Sequence, residues 1–292
     1  MTLLFTTLTL ISFASNSLLT RLALGAGAID AASFTSVRIV SGALMLLAIS
    51  AIADRRSTPS ALPAQASGRG RSFREWRLPL ALFFYAITFS YAYVSLTAST
   101  GALILFGAVQ TTMLTAALVA GERPRPLEWS GLALAFLGLV VLTAPGLAGP
   151  PLRGTVSMAA SGICWGFYSL WGRDVGNPLQ STTRNFVRVT PLSLMVSLAT
   201  LGRAHVTRSG AVLAATSGAL ASGVGYVLWY SALAGLSATR AATVQFAAPV
   251  FAAAGGALLL SEPVSLRLIV AGVLILGGIG LAHLRHLAPG AP

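Results

Sequence analysis

Two arginines stand inside otherwise apolar runs. Arg38 and Arg188 each lie several residues from the nearest break in hydrophobicity, roughly 10 Å along a helix rising 1.5 Å per residue. A guanidinium at that depth is costly and calls for a partner or a function. Arg38 can take up a carboxylate through its bidentate fork. The competing assignment is a structural or gating pair. In that case Arg38 and Glu262 fall toward one face and Arg188 and Glu122 toward the other, and the symmetry of the two pairs favours it. A second group is aromatic and amide: Phe13, Asn16, Trp165 and Tyr168, then Tyr85, Tyr91 and Tyr93, then Tyr226, Trp229 and Tyr230, with Gln110 and Gln245. Aromatic faces suit an apolar or aromatic ligand, while a few amides and hydroxyls orient its ammonium and carboxylate. The alternatives are lipid-interface belts for Tyr and Trp and interhelical hydrogen bonds for the glutamines. Belts suit Tyr85 and Trp171, which fall near expected helix ends. For Asn16, Trp165, Gln110 and Gln245 the site assignment leads. Pro191 and Pro249 fall within apolar runs, where they make either gating bends or static kinks.

Little else in the chain can do chemistry. The acidic residues Asp30, Asp54, Glu122, Glu128, Asp174 and Glu262 fall near segment ends, with Glu75 in a loop; His205, His283 and His286 are peripheral. Carriers driven by protons bury a carboxylate or histidine relay, and none is legible here, so exchange or facilitated flux is favoured over proton coupling. An embedded enzyme would need paired carboxylates, a His cluster or an activated nucleophile, and Cys164 has no base beside it. A channel would want a hydrophilic pore lining. There is no ATP-binding motif, and neither a metal nor any other cofactor is expected. Gly162-xxx-Gly166 and the Gly277-Gly278-Ile279-Gly280 run suit close helix approach.

The elements that position these residues follow from composition. Of 292 residues, 55% are hydrophobic and only 9% charged, against about a quarter charged in soluble domains. Mean hydropathy is +0.80. Such a chain has too little polar surface to face water, so a membrane is its solvent and all-α its fold class. One cysteine excludes a disulfide framework, and the long runs lack the alternation of a barrel. The first segment has no basic n-region or small-residue cleavage site, which makes it a permanent helix.

Spans of roughly 20 residues are expected at 3–24, 31–53, 78–97, 100–120, 127–144, 154–172, 180–201, 209–234, 239–260 and 264–284. A tight hairpin at Ser99, Thr100 and Gly101 divides the third from the fourth. The net charge of +12 is carried by arginine alone. Arg55, Arg56, Arg69, Arg71, Arg74 and Arg77 fall in one loop, and Arg123, Arg125, Arg173, Arg184, Arg240 and Arg285 share its face. Only Arg153, Arg203, Arg208 and Arg267 fall opposite. The positive-inside rule then places both termini in the cytoplasm. That reading leaves lipid as the surrounding partner, a small molecule as the cargo, and no nucleic acid.

The ten spans divide at a Pro/Gly-rich linker into two halves: residues 1–146, a linker at 147–153, residues 154–286, and a tail at 287–292. The halves echo one another in order. Phe13-Ala14-Ser15-Asn16 stands over Trp165-Gly166-Phe167-Tyr168, and Val37-Arg38-Ile39-Val40 over Val187-Arg188-Val189-Thr190. Ala98-Ser99-Thr100-Gly101-Ala102 stands over Ala238-Thr239-Arg240-Ala241-Ala242, and Glu122 over Glu262. Five spans per half invert the second half in the membrane, the architecture of carriers whose site lies at the repeat interface.

In the Trp165-Gly166 motif, the Arg38/Arg188 pair and the Glu122 and Glu262 helix ends, the chain resembles the EamA-type drug/metabolite transporter superfamily over essentially its whole length. Within it the sequence looks most like YddG-type bacterial inner-membrane exporters of aromatic amino acids. The first half departs from the pattern, with Phe13-Ala14 where Trp-Gly is common. The resemblance implies export of Phe, Tyr and Trp, with Thr or methyl viologen-like cations as further cargo, by alternating access. Other small metabolites or drugs are the alternative cargo.

Overall fold

The structure is a computed structural model that describes residues 2–56, 73–119, 126–143, 149–173, 175–233, 245 and 247–283. Among these the fold is almost wholly helical, with one isolated β-bridge between Ile29 and Val206. The helices are α1 (Thr2–Gly25), α2 (Ala31–Arg56), α3 (Phe73–Tyr93), α4 (Ala98–Val119), α5 (Pro126–Thr143), α6 (Leu152–Gly172) and α7 (Pro178–Ala199). A 3-10 turn follows at Leu201–Arg203. Then come α8 (Arg208–Leu233), α9 (Ala247–Leu260) and α10 (Leu266–His283). By length and composition, Ala31–Ala53 and Arg208–Leu233 are long and apolar enough to cross a membrane.

Local chemistry sets several of the helix ends. Asp30 precedes α2, and its carboxylate accepts from the Ser33 N–H at 2.9 Å. Thr207 accepts from the Gly210 N–H to start α8, and Asn177 accepts from the Gln180 N–H ahead of Pro178 to start α7; these are ordinary N-caps. The α3–α4 hairpin departs from expectation. Its turn lies at residues 94–97, and Ser99, Thr100 and Gly101 already belong to α4. The cause is remote in sequence: the Glu262 carboxylate receives the Ala98 N–H at 3.0 and 2.9 Å and so caps α4 from across the molecule, favourable both as a hydrogen bond and against the helix dipole. Pro191 lies inside α7 and is exposed. Pro249 is the third residue of α9 as described, and the residues before Ala247 that would set its place in a helix lie largely outside the described residues.

Packing runs between the first and second parts of the chain. α6 lies against α3 and α4, α1 against α8 and α9, α2 against α7 and α8, and α5 against α10. The polarity is inverted relative to a soluble protein. Leu198, Leu258, Leu266 and Val273 point outward and are largely exposed, while Arg38, Asn16, Ser222 and Gln245 are buried. Exposed apolar surface on this scale marks a partner, here lipid.

Candidate functional site

The buried polar groups converge on aromatic rings contributed by α1, α3, α6 and α8. Trp165 on α6 is the hub. Its ring lies 5.4 Å from Phe13, 4.9 Å from Tyr85, 5.5 Å from Tyr168 and 4.7 Å from Tyr226. Phe13 also meets Trp229 edge-on at 5.7 Å. Trp165 Nε1 donates to Gln245 Oε1 at 3.3 Å, and Asn185 donates to the Tyr168 hydroxyl at 3.3 Å. A small cavity is lined by Phe13, Asn16, Ser17, Tyr85, Phe89, Leu105, Phe106 and Trp165, and its accessible space is about 10 Å³. That is room for about one water, so this conformation is closed around its centre.

Arg38 stands behind Tyr85 and Phe89. It is 1% exposed, and its guanidinium lies 5.4 and 5.0 Å from those two ring centres. Its Nε donates to Ser222 Oγ at 2.9 Å, and its Nη2 to the hydroxyls of Tyr226 at 2.8 Å and Tyr85 at 3.2 Å. Nη1 has no hydrogen-bond partner among the described residues. Arg38 therefore does not pair with Glu262. That carboxylate pairs with Arg21 at 3.2 Å instead, and Arg21 Nη1 also donates to the Tyr93 carbonyl at 3.4 Å.

The two arginines expected to be equivalent occupy different surroundings. Arg188 is partly exposed and pairs with Glu75 at 3.3 Å, donates to its backbone carbonyl at 3.0 Å, and lies over Trp76. Glu122 lies outside the described residues.

The structure thus brings Phe13, Asn16, Arg38, Trp165, Tyr168, Tyr226, Trp229 and Gln245 into one cluster. Tyr93 packs on Phe89 at 4.8 Å but donates its hydroxyl to the Ala98 carbonyl, while its own carbonyl accepts from Arg21; Gln110 is buried on α4. Tyr85, expected at an interface, is instead central and 4% exposed. α3 begins five residues earlier than its hydrophobicity indicates, because the charged Arg74, Glu75 and Arg77 are helical, and this moves Tyr85 to mid-helix. Trp171 is partly buried near the end of α6, with the Arg77 guanidinium 5.5 Å from its ring centre.

Sequence reasoning also missed Ser217 and Ser222. The Ser217 hydroxyl donates to Asn16 Oδ1 at 2.7 Å. Both serines lie in a π-helical stretch of α8, Ser217–Val224, where α-helical periodicity misassigns faces.

At one end of the molecule the loops before α2 and α8 are clasped. Asp30 N–H donates to the His205 carbonyl at 2.9 Å, His205 N–H to Asp30 Oδ2 at 3.0 Å, and Thr207 N–H to the Ala28 carbonyl at 2.9 Å. Partial burial acts to raise the Asp30 pKa, but hydrogen bonds from Ser33, His205 and Ala32 outweigh it and hold the carboxyl below its usual value. A depressed carboxylate pKa stabilises the fold above the unfolded value of about 3.9 and is lost only as pH falls through the folded value. The clasp is therefore intact throughout the neutral range.

A helical chain that is apolar outside and polar and aromatic within is an integral membrane protein, and a closed internal chamber is the expected core of a carrier. Residues 152–284 match the EamA-like transporter family. An uncharacterized protein of Pseudomonas aeruginosa is 49% identical over 280 residues, covering 96% of this chain and 93% of that protein. An uncharacterized transporter of Archaeoglobus fulgidus is 29% identical over 173 residues, 57% of this chain and 61% of that one. A protein of known crystal structure shares the fold over 97% of both chains, with a TM-score of 0.67 at 19% identity. The chain belongs to the EamA-like transporter family of the drug/metabolite transporter superfamily, and is a multi-pass membrane protein.

Proposed function

We propose that this protein is a secondary transporter that exports amino acids, chiefly aromatic ones, across the bacterial inner membrane by alternating access, with both termini cytoplasmic. One observation carries the reading. A cationic, hydrogen-bonding group, Arg38, is buried beside a cage of Phe13, Tyr85, Trp165, Tyr226 and Trp229. The cage suits an aromatic side chain and the guanidinium suits a carboxylate. The expected YddG-like specificity is in keeping with that pairing.

Ten spans in two inverted halves supply the alternation. The contacts support this by falling into exchangeable sets: α3 on α6 answers α8 on α1, α4 on α6 answers α9 on α1, and α2–α7 and α5–α10 map onto themselves. Each end of the chamber is then closed by ties between halves, Arg21–Glu262 with the Asp30–His205 clasp at one end and Arg188–Glu75 at the other. The described carboxylates Asp30, Glu75 and Glu262 are all engaged at helix ends, which favours exchange or facilitated efflux over a carboxylate proton relay.

Counterflow in proteoliposomes tests the reading. Labelled phenylalanine should accumulate against internal unlabelled phenylalanine, tyrosine or tryptophan, with a rate unaffected by a pH gradient. Absence of flux for every amino acid tried removes the exporter assignment.

A further inference from the structure

We propose that the Arg38 cluster is a carboxylate site, and that the carrier accepts aromatic carboxylates whether or not they bear an α-amino group while excluding the corresponding amines. This rests on the transport reading above and narrows it to a substrate class.

Donors outnumber acceptors in the cluster. Three converge on the single oxygen of Tyr85: Arg38 Nη2 at 3.2 Å, Tyr226 Oη at 3.1 Å and Asn16 Nδ2 at 3.3 Å. A hydroxyl oxygen has two lone pairs, and all three distances lie at the long end for such bonds. Arg38 Nη1 and, one turn beyond Tyr226 on α8, the buried Trp229 Nε1 have no partner among the described residues. The Tyr85 oxygen thus occupies a position that a carboxylate oxygen would fill better. A carboxylate brings two oxygens with about four acceptor sites, and the negative charge that the guanidinium lacks.

A lone cation meets the opposite situation. It would place a second positive charge beside one that is permanently protonated, in surroundings where water screens little. It would also compete for the faces of Tyr85 and Phe89, against which the guanidinium already lies. An ammonium further needs acceptors, and each side-chain carbonyl nearby already gives one of its two lone pairs to a neighbour: Asn16 Oδ1 to the Ser217 hydroxyl, and Gln245 Oε1 to Trp165 Nε1. The amino group of an amino acid therefore contributes little to binding. Phe13, Phe106 and Trp165 line the cavity where the ring would lie. With room for about one water, binding requires Tyr85 and Phe89 to swing aside, which also uncovers Arg38.

Counterflow with the full chain in proteoliposomes, against protein-free vesicles, separates the classes. The probes are phenylalanine, 3-phenyllactate (a hydroxyl in place of the ammonium) and phenethylamine (no carboxylate). Phenylalanine and 3-phenyllactate should exchange at rates within roughly fivefold of each other, and phenethylamine at least about tenfold more slowly, tenfold being about 1.4 kcal/mol. Arg38→Gln, checked for folding by its thermal melt, should bring both acids to the vesicle background. Phenylalanine flux without 3-phenyllactate flux, or equal carriage of phenethylamine, overturns the carboxylate proposal and leaves the transport reading standing.

If no probe is carried, the transport reading fails and binding decides the site. Saturable quenching of tryptophan fluorescence by 3-phenyllactate in the detergent-solubilised protein, abolished in Arg38→Gln, supports it. Quenching that does not saturate, or that survives Arg38→Gln, overturns it.

Discussion

Arg38 has the cost of a buried charge and, among the described residues, no acidic partner to offset it. Its hydrogen bonds run to Ser222, Tyr85 and Tyr226, all neutral hydroxyls, and one nitrogen has no partner among the described residues. Such a group weakens the resting fold, because an apolar residue of similar volume removes the desolvation penalty. This separates a ligand grip from a scaffold. Arg38→Met should leave the thermal midpoint in detergent unchanged or raise it, while counterflow falls to background; Arg38→Ala should abolish flux as well. A scaffold would behave otherwise: Arg38→Met would lower stability by more than about 2 kcal/mol, the range of core disruptions, with flux falling in proportion. The same logic distinguishes Arg21, whose partner Glu262 also holds the start of α4. There a loss of charge strands a carboxylate and is expected to destabilise.

Much of the architecture could be read from the sequence because apolar runs and arginine-bearing breaks mark helix limits directly, and Arg38, Asn16 and Trp165 stood out as polar or aromatic groups too deep to be incidental. What escaped notice depended on backbone geometry. At 100° per residue, serines five apart diverge by about 140°, so Ser217 and Ser222 do not look like one face. In the wider turn of a π-helix, marked here by Gly225 N–H donating to the Leu220 carbonyl, both reach the cluster, one at Asn16 and the other at Arg38 Nε. The same stretch crosses α2 at close range. A Cβ on Gly218 would collide with the Arg38 carbonyl and the Ser41 hydroxyl, and one on Gly42 would meet the Phe186 ring. Gly218→Ala should therefore separate α2 from α8 and lose folded protein, read as a collapse of the monodisperse gel-filtration peak. Gly272→Ala, with only Leu103 Cδ1 at 4.0 Å, should be neutral. Equal behaviour of the two would mean that the α2–α8 crossing is looser than its geometry implies.

Across the whole molecule the two ends are held unequally. The Arg188–Glu75 tie is a half-exposed ion pair, of a kind worth at most about 1 kcal/mol. The opposite end combines the more buried Arg21–Glu262 pair with backbone bonds joining residues 28–30 to 205–207. Opening a chamber toward that side must break the backbone clasp, whereas at the other end the tie between halves among the described residues is the half-exposed Arg188–Glu75 pair. A covalent lock tests this. Ile29 and Val206 form an antiparallel bridge, a pairing whose Cα separation of roughly 4.5–5.5 Å suits a disulfide. Cysteines at both positions, in a Cys164→Ser background to remove the free thiol, should cross-link with a mild oxidant. The cross-linked carrier should bind 3-phenyllactate, since the chamber can still be entered from the opposite end, but should not catalyse counterflow until a reductant is added. Normal counterflow by fully cross-linked protein would show that this end does not part during the cycle, and the alternating movement would then have to be sought elsewhere than between the two halves.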